Sequence, residues 1–145
     1  EQRAREYDHH RRQSAEASLR TRDTEVGVAH VVSDTDSRDF WHELFGSVVV
    51  QYKPRQKVIT ISGCSEEAVQ RLAAKGIHRK SIYSLLGPGG FRDYYHALDD
   101  ILGPGSGGQP TIGGSPRDKN FTQRDSALVF DRICKLLLQR PRLAA

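Results

Sequence analysis

Residues 57–65 read KVITISGCS, an alternating run closed by Gly63 and followed by the helical pattern SEEAVQRLAAKG at 65–76. Successive side chains of a strand point to opposite faces, so Lys57, Ile59 and Ile61 share one side and Val58, Thr60 and Ser62 the other. Ser65 has the hydroxyl that an N-cap needs, and Glu66 and Glu67 fall in the first turn, where the positive end of the helix dipole favours carboxylates. Gly76 ends the helix. A strand that runs directly into a capped helix points to an α/β (α+β) domain.

Working upstream, SVVVQYKPRQ (47–56) pairs with this strand as a hairpin whose two-residue loop is Pro54 and Arg55. That register sets Lys53 opposite Gln56, Gln51 opposite Val58, Val49 opposite Thr60 and Ser47 opposite Ser62. One face then carries Ser47, Val49, Gln51, Lys53, Gln56, Val58, Thr60 and Ser62. The other carries Val48, Val50, Tyr52, Lys57, Ile59 and Ile61, a platform for the Val69 and Leu72 side of the following helix. The fold expected is a small, mostly antiparallel sheet with helices packed on one face.

The rest of the chain divides around this unit. Residues 1–22 are a basic N-terminal arm or helix, 23–102 the α/β core, 103–120 a Gly/Pro-rich linker, and 121–145 a C-terminal amphipathic helix. TEVGVAHVV (24–32) has strand character. SDTDSRDFWHELFG (33–46) is a short helix capped by Asp34, Asp36 or Ser37, with Phe40, Trp41, Leu44 and Phe45 on one face. Trp41 reads as core. Helices are expected at 79–86 and 91–102, separated by the breaker GPGG at 87–90. The C-terminal stripe of Leu128, Val129, Ile133, Leu136 and Leu137 needs a partner, either this subunit's own core or a second copy.

Composition bounds the functional classes. Of 145 residues 37% are hydrophobic, and Lys and Arg outnumber Asp and Glu by 22 to 18, for a net charge of +4. The mean hydropathy of -0.60 and pI near 9.3 describe a modest core and a surface that permits a polyanionic partner. No run approaches the roughly 18 apolar residues of a membrane span, and no signal-peptide region is evident, so a soluble, intracellular protein is expected. Cys64 and Cys134 lack metal-ligand spacing and read as free thiols. The six histidines, His9, His10, His30, His42, His78 and His96, do not pair in spacing. Asp34, Asp36 and Asp39 read as capping residues, and the glycine-rich stretches fit no phosphate loop. No catalytic residue, metal or cofactor is therefore expected. A ribonuclease using two histidines as base and acid is one alternative. A protein-protein adaptor docking through the C-terminal helix is another.

The hydroxyl-rich face has two readings. It is the wet side of a two-layer sheet, or a flat surface that approaches a phosphodiester backbone and donates to phosphates and ribose 2′-hydroxyls. Basic groups that could add phosphate contacts are Arg11 and Arg12 within an arm that also holds Arg3, Arg5, Arg20 and Arg22, and the cluster of His78, Arg79 and Lys80.

Residues 37–86, and most sharply KVITISGCSEEAVQRL at 57–72, resemble the hairpin and following helix of the tombusvirus nineteen-kilodalton RNA-silencing suppressor family, including its shorter aureusvirus members. The shared features are an Ile-Thr-(Val/Ile)-Ser-Gly-x-Ser strand end, Gln70 and Leu72 in the helix, the upstream Ser37-Arg38-x-Phe40, and Gly46 before the first strand. The resemblance covers about a third of the chain. It implies a homodimer whose joined sheets lie on the minor-groove side of A-form duplex RNA and sequester it in the host cell cytoplasm. No small-molecule substrate or membrane is involved. By position, Ser47, Gln51, Thr60 and Ser62 match the family's RNA-facing residues. Gln51 stands where the family has arginine, a loss that Lys53 or Arg55 in the turn could offset. The family measures duplex length with paired tryptophans, whereas this chain has only Trp41, so duplexes of different length are expected to bind.

Overall fold

The computed structural model describes residues 18–20, 27–34 and 38–139. Six strands form one sheet in the order β1-β2-β3-β4-β6-β5: β1 (Ser18–Arg20), β2 (Val28–Val32), β3 (Val48–Lys53), β4 (Val58–Gly63), β5 (Gly107–Gly108) and β6 (Ile112–Gly114). The helices are α1 (Arg38–Leu44), α2 (Glu66–Ala74), α3 (Ile82–Leu86), α4 (Asp99–Leu102) and α5 (Gln123–Gln139). The class is α+β. Every strand pair is antiparallel except β2 with β3.

The hairpin forms, with a different turn. Lys53 pairs with Val58, and residues 54–57 make the loop, closed by the Lys57 amide donating to the Lys53 carbonyl at 2.8 Å. Lys57 takes a left-handed φ of 56° there, so it leaves the oily face to which alternation assigned it. Each partner moves by two residues relative to a two-residue loop. A shift of two keeps the parity of a period-2 strand, so the remaining residues keep their faces. Val48, Val50, Tyr52, Ile59 and Ile61 indeed share one buried cluster.

What covers those faces departs from the expectation. Parallel pairing of β2 with β3 requires a crossover, and α1 is that crossover. It lies on the side opposite the main core, packing Trp41, Leu44 and Phe45 on Ala29, Val31 and Val49. The sheet is therefore covered on both faces. Gly27 and Gly46 meet where β2 and β3 begin: a Cβ on Gly46 would fall on the Gly27 backbone, and the Val48 amide donates to the Gly27 carbonyl. The close approach is possible because neither residue carries a side chain.

On the main-core side α5 packs over β2 and β3. Val129, Phe130, Ile133 and Cys134 are buried against the sheet, Leu137 packs on the cluster, and Leu128 stays 46% exposed. The amphipathic stripe is thus used within the subunit. α2 does not lie on the Val50 and Ile61 platform; its Ala68, Val69 and Leu72 form a separate small cluster with Cys64 and Ile77. Its ends match the sequence: the Ser65 hydroxyl accepts from the Ala68 amide, and Gly76 has a φ of 81°.

Two further corrections concern the second half. The segment 91–102 is two 3₁₀ turns, Gly90–Asp93 and Tyr95–Leu98, before the short α4. The Phe91 amide leaves the helical ladder to bond the Pro110 carbonyl at 2.8 Å. Residues 103–120, expected to be a flexible linker, supply β5 and β6 and extend the sheet beside β4. Gly113 leaves room there for the Tyr95 phenol, which donates to the Gln109 carbonyl at 2.9 Å. Burial pushes the Tyr95 pKa up to about 12. No helix among the described residues is long and apolar enough to cross a membrane.

Candidate nucleic-acid interface

Three of the strand residues expected to face RNA lie beneath α1. Ser47 is 0% exposed, and its Oγ accepts from the Lys80 amide at 3.0 Å. Gln51 is buried, with Nε2 donating to the Ser33 carbonyl at 2.8 Å. Ser62 is buried with its Oγ 3.1 Å from His42 Nε2, and His42 Nδ1 lies 2.8 Å from the Gly46 carbonyl. A carbonyl only accepts, so Nδ1 carries a proton and donates to Gly46. Through its other nitrogen and Ser62, His42 links α1 to β4. A hydroxyl face reads the same whether water or a helix carrying matching polar groups covers it, and only the parallel β2–α1–β3 crossover decides which. Ser47, Gln51 and Ser62 are interior hydrogen-bonding groups.

Thr60 is different. It is half-buried on the same face, with Gly114 of β6 beside it. Past the edge of α1, Val58, Thr60, Ile112 and Gly114 are each half-buried. Paired residues share a face, so Thr60, Gly114 and Gly107 form a row with hardly any side-chain bulk.

The basic residues also sort into two groups. Arg79 is engaged at the C-terminal end of α1, where Nε donates to the His42 carbonyl at 3.0 Å and Nη2 to the Glu43 carbonyl at 3.2 Å. A guanidinium there satisfies carbonyls that lack helical partners and meets the negative end of the helix. Lys80 is half-buried beside Ser47. Arg11 and Arg12 lie outside the described residues.

The second group was missed in part by the sequence reading. Lys53 and Arg55 stand at the hairpin turn, Lys53 half-buried and Arg55 exposed. The segment leading into α5 is tied alongside: the Phe121 amide donates to the Lys57 carbonyl at 2.9 Å, and the Tyr52 hydroxyl to the Phe121 carbonyl at 2.7 Å. The Ser115 amide donates to the Ile59 carbonyl. These bonds bring Arg117, Lys119 and Arg124 to the end of the molecule that holds Lys53, Arg55 and Lys57. Among the described residues, no ion pair is made by Arg55, Lys57, Arg117, Lys119 or Arg124, and all five are exposed. The carboxylates on the same segments are Asp34, Asp118 and Asp125, so the rim is positive. Asp34 accepts from the Arg55 amide and Asp125 from the Thr122 amide. No motif marks this cluster, because it joins a turn to a segment sixty residues away.

The histidines do not assemble into an acid-base pair from His30 and His42, which lie on opposite faces of the sheet. Ser126 donates to the Gln123 carbonyl and therefore accepts from His30 Nε2 at 2.7 Å. His30 also stacks on Phe130. Burial holds its pKa below the usual 6.5, with the Asp131 carboxylate opposing. The unfolded chain therefore takes up this proton more readily, and stability present above pH 6.5 is lost as the pH falls below it. The urea midpoint is expected to drop between about pH 7.5 and about pH 5.5, less steeply in His30→Gln. Equal slopes for both proteins would remove His30 from this account.

Cys64 and Cys134 are buried free thiols. Among the described residues no group of three or more His, Cys, Asp or Glu side chains is placed to hold a metal ion. Comparison of the chain with protein-family models, curated proteins and solved structures finds no match.

Proposed function

We propose that this protein binds double-stranded RNA through its sugar-phosphate backbone and acts by sequestration, as a viral suppressor of RNA silencing in the host cell cytoplasm. The observation that carries this reading is the rim of exposed cations, Arg55, Lys57, Arg117, Lys119 and Arg124, which make no ion pair among the described residues, beside the half-open row of Thr60, Gly114 and Gly107. Guanidinium groups pair bidentately with phosphate. A face without bulk lets a duplex backbone come within reach of the Thr60 hydroxyl. The resemblance of residues 37–86 to the tombusvirus suppressors supplies the homodimer and the silencing role. The contact set differs from the one implied there, keeping Lys53, Arg55 and Thr60 and replacing Ser47, Gln51 and Ser62 with the rim.

Binding of this kind needs neither catalysis nor a cofactor. Trp41 of α1 is 1% exposed and packs against the sheet, so it does not stack on duplex ends, and duplexes of different length bind alike. The adaptor alternative loses its main support, because the apolar side of α5 is occupied by the sheet of the same subunit.

The test is a gel-shift comparison of duplex RNA, single-stranded RNA and duplex DNA across salt concentration. Duplex RNA is expected to bind best, and about six phosphate contacts would lower the affinity on the order of 10³-fold between about 50 and about 200 mM salt. Equal affinity for all three nucleic acids, or no shift at low salt, overturns the reading.

A further inference from the structure

The open part of the sheet offers a duplex little that can recognise a ribose. Past the edge of α1 the outer face of β4, β6 and β5 carries Val58, Thr60, Ile112, Gly114 and Gly107, each half-buried. Val58 and Ile112 are apolar, and the two glycines have no side chain. Thr60 therefore holds the one hydroxyl of the row, and that hydroxyl makes no hydrogen bond among the described residues. Gln109, exposed at the tip of the β5–β6 hairpin where its amide donates to the Ile112 carbonyl at 2.7 Å, is the polar neutral side chain that borders it. The other polar groups of that face, Ser47, Gln51 and Ser62, are interior and bonded to Lys80, Ser33 and His42.

Contacts of two kinds are thus very unequal here. A hydrogen bond between neutral groups changes affinity by about tenfold at most. Phosphate neutralisation by the exposed rim cations acts on every duplex whatever its sugar. Duplex form is then read by shape. Three neighbouring strands span about 10 Å at their usual spacing. The wide, shallow minor groove of an A-form helix accepts a smooth surface of that width, and the minor groove of B-form DNA, about 6 Å across, does not.

We propose that the site takes A-form duplexes as a class, with an RNA·DNA hybrid as a ligand alongside double-stranded RNA. This ligand class rests on the duplex RNA reading and extends it. A hybrid keeps an A-form backbone, the full set of phosphates and the 2′-hydroxyls of one strand. It loses at most part of what Thr60 and Gln109 contribute. A duplex of two 2′-fluoro strands keeps the shape and the charge and has no 2′-hydroxyl at all, so it separates recognition of form from recognition of the sugar.

The experiment is filter binding of the full chain at one salt concentration to four duplexes of the same sequence and length: RNA, an RNA·DNA hybrid, 2′-fluoro and DNA. The hybrid is expected to bind within about tenfold of duplex RNA, and both the hybrid and the 2′-fluoro duplex at least about tenfold tighter than duplex DNA. Thr60→Val, which removes the hydroxyl and keeps the shape of the side chain, is expected to lower the affinity for duplex RNA by about tenfold at most, with folding checked by circular dichroism. A hybrid more than about tenfold weaker than duplex RNA, or a hybrid or 2′-fluoro duplex as weak as duplex DNA, overturns the proposal and leaves the duplex RNA reading standing. A larger loss in folded Thr60→Val does the same, because the hydroxyl would then dominate. Failure of duplex RNA itself to bind overturns that reading, and the wider ligand class with it. Should Thr60→Val fail to fold, the four duplexes still decide the matter.

Discussion

Trp41→Ala is expected to lower the free energy of unfolding by about 3–5 kcal/mol, the range for removing a buried large aromatic side chain. Trp41 is 1% exposed and stacks on Phe45 with ring centroids 6.3 Å apart. It is the largest residue between α1 and the strands Ala29, Val31 and Val49. α1 has only seven residues, far below the length at which an isolated helix is stable in water, so its position depends on this contact. Its loss would also uncover Ser47, Gln51 and Ser62, whose bonds to Lys80, Ser33 and His42 are made in the shelter of that helix. Urea unfolding followed by circular dichroism measures the effect, since the only tryptophan fluorophore is removed. A midpoint within error of the parent would mean that α1 does not cover the sheet. In the fraction that remains folded, duplex RNA affinity is expected to be unchanged, which separates a core tryptophan from one that stacks on RNA ends.

The second large effect concerns binding alone. Arg55→Glu combined with Arg117→Glu is expected to reduce duplex RNA affinity by about 100-fold or more at low salt, because two phosphate contacts become two repulsions. Stability is expected to change by less than about 0.5 kcal/mol for each exposed site. Both side chains are exposed and neither makes an ion pair among the described residues. Filter binding together with a denaturation curve reads both quantities. Unaltered affinity would remove the rim from the interface. The contrast with the strand is informative. Ser62→Glu would place a charge next to His42 in the interior and is expected to unfold the protein, whereas Thr60→Glu, at a half-open position, is expected to weaken RNA binding in a folded protein.

Much of this was legible in KVITISGCS and its flanks. The parity of Ile59 and Ile61 against Thr60 and Ser62 survived a turn twice as long as expected, because a two-residue register shift preserves alternation. Ser65 and Gly76 marked the ends of α2 because capping and left-handed φ are properties of one or two residues. The burial of Trp41 and the amphipathic C-terminal helix followed from helical spacing in the same way.

Other features depended on contacts between distant parts of the chain. The bond from His42 to Ser62 spans twenty residues, and with the parallel pairing of β2 and β3 it turned a supposed RNA-facing surface into an interior. β5 and β6 lie in a glycine-rich stretch with no alternation to read, and they became strands because β4 offered an edge. The rim unites Arg55 with Arg117 through the bond from Phe121 to Lys57. By itself the sequence determined which residues share a face of each element, since periodicity and capping are local. Only the tertiary structure decided what lies on that face, since that depends on where elements far apart in the chain come to rest.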